Sequence, residues 1–155
     1  MAERSDDVPP GEGIVNLLFA GTGALIGTSL AGALLPDTFG IVHAILSGVL
    51  FAIGTGAMLW GYALGVSRSR AVSVTMAGLF FLAGGSAPLE VARRFRLALG
   101  IETVVVVAAA LLRPDSNMPF GVLAPMFALG LMAVWGGRYG VFEARTDLRP
   151  DREPT

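Results

Sequence analysis

The segment LEVARRFRLALGIETVVVVAAALL, Leu89 to Leu112, decides the fold class. It opens with Arg93, Arg94 and Arg96 and then runs on with Glu102 as its only ionisable group. Guanidinium groups resist entry into hydrocarbon, whereas a valine-rich run gains by leaving water. A membrane boundary is therefore expected near Arg96, with an interfacial helix over 89–96 and a span over about 97–112.

Two other stretches support this. Gly13 to Leu35 and Phe39 to Ser67 contain no Asp, Glu, Lys or Arg. Each is long enough as a helix to cross a hydrocarbon core of about 30 Å at about 1.5 Å per residue. The chain has 155 residues, of which 54% are hydrophobic, more than an ordinary globular domain carries. All 11 basic residues are arginine, which suggests a GC-rich bacterial genome, and the formal net charge is −1. No patch is basic enough for nucleic acid; arginines beside apolar runs mark a membrane face instead. With no cysteine there is neither a disulfide nor a thiolate metal site.

The predicted architecture is an all-α membrane protein. It is a four-span helical bundle with spans at about 14–35, 41–66, 97–112 and 120–136, and a re-entrant or short fifth hydrophobic segment over 71–87. The helical domain covers 13–142, between disordered tails at 1–12 and 143–155. The N-terminal tail lacks the basic n-region of a secretory signal. Pro36, Asp37, Thr38 and Phe39 read as the turn after the first span. Pro125 should kink the last span and free the carbonyl near Gly121.

Arginine placement selects the topology. If the segment over 71–87 returns to the side it left, ten arginines share one side and only Arg113 lies on the other. If it crosses, the best division is seven against four. The positive-inside rule favours the first arrangement, a multi-pass protein of the plasma membrane with both termini cytoplasmic. Trp60 and Tyr62 before Arg68, and Trp135 and Tyr139 around Arg138, are interfacial anchors on that side.

The segments FFLAGGSAP (Phe80 to Pro88) and FGVLAPMFALGLMAVWGGRYGVF (Phe120 to Phe142) resemble small uncharacterised integral membrane proteins of actinobacteria. The likeness spans roughly the second half of the chain. That group carries no assigned activity, so no functional residue is carried over.

Glu102 is the leading candidate for chemistry, because an ionisable group inside a span costs up to about 3 kcal/mol and faces protein or water. Six residues beyond Arg96, it should lie about 9 Å deeper, near the inner face. It is either a proton- or cation-binding carboxylate or a carboxyl hydrogen-bonded to a neighbouring helix. His43, the single histidine, falls near the outer face in a four-span layout, too far from Glu102 to touch it. As a relay or ligand it needs a partner; otherwise it is an interfacial hydrogen-bonding group. Asn16, Thr22, Ser47, Thr55 and Thr75 are accounted for by interhelical or back-bonding hydrogen bonds.

Small residues supply the second lead. Gly23 and Gly27, extended by Ala20, Ala24, Thr28 and Gly32, give the first span a flat face, and Gly61 and Gly65 belong to a similar series in the second. Such pairs pack helices closely, either within one chain or between two copies. The glycines at 21, 23 and 27 also mimic a dinucleotide fingerprint, but the apolar run continues through them without the required turn. No nucleophile with its base, no metal-ligand cluster and no cofactor pattern is present. The expectation is a non-enzymatic protein of the lipid bilayer that acts by helix contacts, as a homo-oligomer or with other membrane subunits. The alternative is a small transporter or channel that uses Glu102.

Overall fold

The computed structural model describes residues 10–144. Four helices in it are long and apolar enough to cross a membrane, and no strand occurs among the described residues. The chain is an all-α, multi-pass bundle.

Helix α1 spans Glu12–Leu34 and α2 spans Pro36–Arg68. The reversal between them needs one residue. Leu35, at φ −130° and ψ 67°, donates its N–H to Ala31 O at 2.8 Å, and Pro36 begins α2 where its missing N–H costs nothing. The turn expected over Pro36 to Phe39 is thus already helix, because the N–H groups of Thr38 and Phe39 find Leu35 O.

The segment expected to be re-entrant or a short fifth span holds a helix of only 6 residues and is not among the four helices long enough to cross. After the turn at Ser69, α3 occupies only Met76–Phe81 and ends at Leu82, a non-glycine residue at φ 50°. Gly84 and Gly85, also at positive φ, reverse the chain where a side chain would be strained. Arginine holds the reversal in place: Arg96 donates Nε to Phe81 O and Nη2 to Leu82 O at 3.2 and 3.0 Å. Ser86 Oγ donates to Gly78 O, and Thr75 Oγ1 caps α3 by accepting from Gly78 N. Thr75 therefore lies outside the spans.

Helix α4 runs unbroken over Leu89–Leu112. The separate interfacial helix expected over 89–96 is its first two turns, because a helix has no reason to break where the solvent changes. Arg93 and Arg94 project outward from it, and Arg94 pairs with Glu90 as the i, i+4 spacing predicts.

The last span is a 3-10 helix, Met118–Leu123, followed by α5, Met126–Tyr139. Pro125 marks the change, as expected, but the Gly121 carbonyl is not freed. It accepts from Ala124 N at 2.9 Å, the tighter i to i+3 pattern. This span is the central one: its most apolar window is 56% buried, against 22–28% for the other three. Glycine allows that. A Cβ on Gly54 would strike the backbone at Met126 and Phe127, one on Gly130 would strike Gly54 O, and one on Gly61 the Ala133 backbone. A Cβ on Gly137 would come within 2.8 Å of Gly61 O. Helices α2 and α5 thus meet backbone to backbone at two levels seven residues apart.

Both described ends lie at one end of the bundle, called here the terminal end. Trp135 Nε1 donates to Pro10 O at 3.2 Å, Ser73 N to Glu143 O at 2.8 Å, and Val72 bridges Ala144 antiparallel. The tails expected at 1–12 and 143–155 fall mainly outside the described residues. Where described, Pro10 is held by the Trp135 side chain, Glu12 begins α1, and Glu143 and Ala144 pair with the backbone of Ser73 and Val72. Arg68 adds a clamp, donating Nη1 to Gly137 O and Nη2 to Gly140 O while lying over the Phe142 ring.

A buried carboxyl and two glycine faces

The buried face of α1 carries Val15, Leu18, Thr22, Leu25, Ser29 and Gly32, a helical series that includes two hydroxyls. On α4 the buried series is Ala92, Phe95, Ala98, Glu102, Val106 and Ala109. The helices pack in parallel, so mid-α1 meets mid-α4, and Thr22 Oγ1 lies 2.7 Å from Glu102 Oε1. Glu102 has 0% of its surface exposed. This corrects its expected depth. Thr22 is eleventh of the 23 residues of α1, so the carboxyl sits at the middle of the bundle rather than near its inner face. Measuring from Arg96 misplaced it, because α4 begins two turns before that residue.

The contact is chemically specific. The Thr22 hydroxyl is also 2.9 Å from Leu18 O, the back-bond that a threonine in a helix makes. One hydroxyl hydrogen is therefore shared between two acceptors, Leu18 O and Glu102 Oε1. Glu102 Oε2 has no hydrogen-bond partner. Among the described residues no group of three or more His, Cys, Asp or Glu surrounds it. The arrangement suits one proton better than a metal ion, which requires several donors.

His43 is likewise 0% exposed. Its Nδ1 is 3.4 Å from Thr28 Oγ1, its ring faces the backbone of Met118, and Nε2 closes no hydrogen bond. Gly121 makes room for the ring, since a Cβ there would meet His43 Nε2 and Cε1 and Val106 Cβ. His43 and Glu102 do not touch, as the four-span layout predicts. Their partners on α1, Thr28 and Thr22, are six residues or about 9 Å apart along the axis.

Other buried polar atoms lack partners: Ser29 Oγ, Ser47 Oγ and Thr55 Oγ1. Ser29 escaped notice in the sequence, although its seven-residue spacing from Thr22 places both on the face that carries Leu18 and Leu25. That periodicity was the available signal.

The glycines divide into two classes. Gly61 and Gly65 pack within the chain, against the Ala133 backbone and the Leu79 side chain. On α1, Gly21 meets the Phe127 ring and Gly32 meets Met118. Gly23 and Gly27 do neither; a Cβ on either would meet nothing, and the same holds for Gly13. With Asn16 and Ala20, both exposed, they form a stripe on the side of α1 opposite its buried series. Packing against another helix of the same chain does not account for that stripe.

Comparison with family models, with curated proteins and with solved structures finds no match.

Proposed function

We propose that this chain is a non-enzymatic protein of a bacterial cell membrane, with both termini cytoplasmic, that works through helix contacts: as a homo-oligomer, or as an accessory subunit in a larger membrane complex. One observation carries the reading. Gly13, Ala20, Gly23 and Gly27 line an outward stripe of α1, and a Cβ on any of the three glycines would meet nothing in the chain, whereas Gly21 and Gly32 pack inward. In lipid a glycine face gains nothing by itself, whereas against a second helix it lets backbones approach and gain dispersion contacts. Asn16 lies on that stripe, and an amide on an otherwise apolar helix gains a hydrogen bond across such an interface. The stripe is self-complementary, so a second copy of α1 fits it.

The orientation follows from charge. Arg68, Arg70, Arg93, Arg94, Arg96 and Arg138 lie at the terminal end and Arg113 at the opposite one. The positive-inside rule puts the terminal end in the cytoplasm. The use of arginine for all 11 basic residues supports the bacterial setting.

The test is the association state in liposomes at high lipid dilution, read by photobleaching steps or by cross-linking. Gly23→Ile and Gly27→Ile place their side chains in open space, so the protomer keeps its fold while association is lost. Gly56→Ile on α2, also in open space, leaves association intact. A native protein that is strictly monomeric and copurifies with no other membrane protein overturns the proposal.

A further inference from the structure

Five buried side-chain polar atoms without a partner are found among the described residues, on Ser29, His43, Ser47, Thr55 and Glu102, all on membrane-crossing helices. Stranding such an atom leaves its desolvation uncompensated, and in a bilayer no solvent surrounds the bundle to relieve it. They are not scattered. Thr28 on α1 lies opposite His43 on α2, and because these helices are antiparallel, Ser47 lies opposite Ala24. Ser47 is therefore within about 3 Å, along the axis, of the Thr22–Glu102 level, and His43 with Ser29 follows some two turns further from the terminal end. Glu102, Ser47, His43 and Ser29 thus form a rising series of buried polar groups in the half of the bundle away from the terminal end.

The other half is closed. Between Glu102 and the terminal end the core consists of Phe95, Ala98, Leu131, Met132, Trp135 and Leu82, each at most 5% exposed. Thr55 is the one unpaired atom on that side.

We infer that Glu102 is a proton-binding site inside the membrane, exchanging its proton with water from the end opposite the termini along Ser47, Ser29 and His43. The carboxyl holds the proton on Oε2, while Oε1 accepts from Thr22 Oγ1. Oε2, which has no hydrogen-bond partner in the protein, is the atom a water reaches. On release the proton passes to that water as hydronium and leaves a carboxylate that still accepts from Thr22; uptake is the reverse, so no charge is created or lost. The unpaired hydroxyls and imidazole nitrogen are positions where buried water gains the partners it needs. A metal ion is the poorer fit, since only one carboxylate is present. Other charged groups on the helices packed around Glu102 lie at helix ends: Glu12 on α1, Asp37 and Arg68 on α2, Glu90 to Arg96 on α4 and Arg138 on α5. His43 is the only other titratable group in the interior among the described residues. This inference does not depend on the association proposed above, because the site lies within one protomer.

The experiment is infrared spectroscopy of the full chain in liposomes, following the carbonyl stretch of a protonated carboxylic acid during transfer to heavy water. The native protein is expected to show such a band and to shift it on deuteration. Glu102→Gln removes the band; Glu102→Asp, should the Gln variant not fold, moves it and assigns it equally well. Ser47→Ala, which deletes an unpaired hydroxyl, keeps the band but loses the fast shift, whereas Thr55→Val on the closed side changes neither. A band independent of Glu102, a Glu102 band that never shifts, a shift indifferent to Ser47→Ala, or one lost in Thr55→Val overturns the inference.

Discussion

Thr22 and Glu102, 80 residues apart in the chain, bring a hydroxyl and a carboxyl oxygen to 2.7 Å in the middle of a membrane bundle. The pair joins α1 to α4. Thr22→Val preserves shape and removes the partner, so it should destabilise the protein by about 1–3 kcal/mol, the cost of an unsatisfied buried polar group. Adding Glu102→Leu to Thr22→Val should recover most of that loss, because two apolar groups have nothing to satisfy. Thermal unfolding in detergent measures both.

The glycine contacts between α2 and α5 predict a sharp contrast. Gly130→Ala drives a methyl group into Gly54 O and should cost about 1–3 kcal/mol, as overpacking does. Gly23→Ala, with nothing nearby, should leave protomer stability within about 0.5 kcal/mol. The melting temperatures of the two variants at equal detergent concentration decide.

Arg68 ties the end of α2 to the end of α5 through Gly137 O and Gly140 O. Arg68→Lys retains the charge but not the two-pronged geometry. Hydrogen exchange should rise from Gly140 to Ala144 and at Val72 and Ser73, which pair with Ala144 and Glu143, with α1 unchanged. Equal protection in variant and native protein would show the clamp to be dispensable.

The even number of crossings is directly testable, since the chain has no cysteine to remove first. Arg70→Cys and Arg93→Cys should react with an impermeant maleimide from one side of the membrane and Ser116→Cys from the other. Labelling of positions 70 and 93 from opposite sides would turn the short segment between them into a fifth span.

The crossing helices were legible because charge is excluded from them, a signal that needs no knowledge of packing. Their ends were less so. Arg96 looked like a boundary, yet its long side chain reaches back to the carbonyls of Phe81 and Leu82 while the backbone continues as helix. Glu102 stood out by its rarity, but its depth depended on that boundary and its partner on the facing of α1. Facing is hard to read in a membrane helix, where core and lipid sides are both apolar. For this reason Gly23 and Gly27 announced a flat face without saying which way it turned, and nothing in the sequence tied His43 to Gly121, which makes room for its ring.

Helix α2 has 33 residues, about 50 Å of helix, and one residue joins it to the 23 residues of α1. A hydrocarbon slab of about 30 Å cannot match both lengths at once. The longer helix leans, emerges into water, or draws a thicker layer of lipid around it. Acyl-chain length therefore bears on how far α2 leans or emerges, and on which membranes suit the bundle.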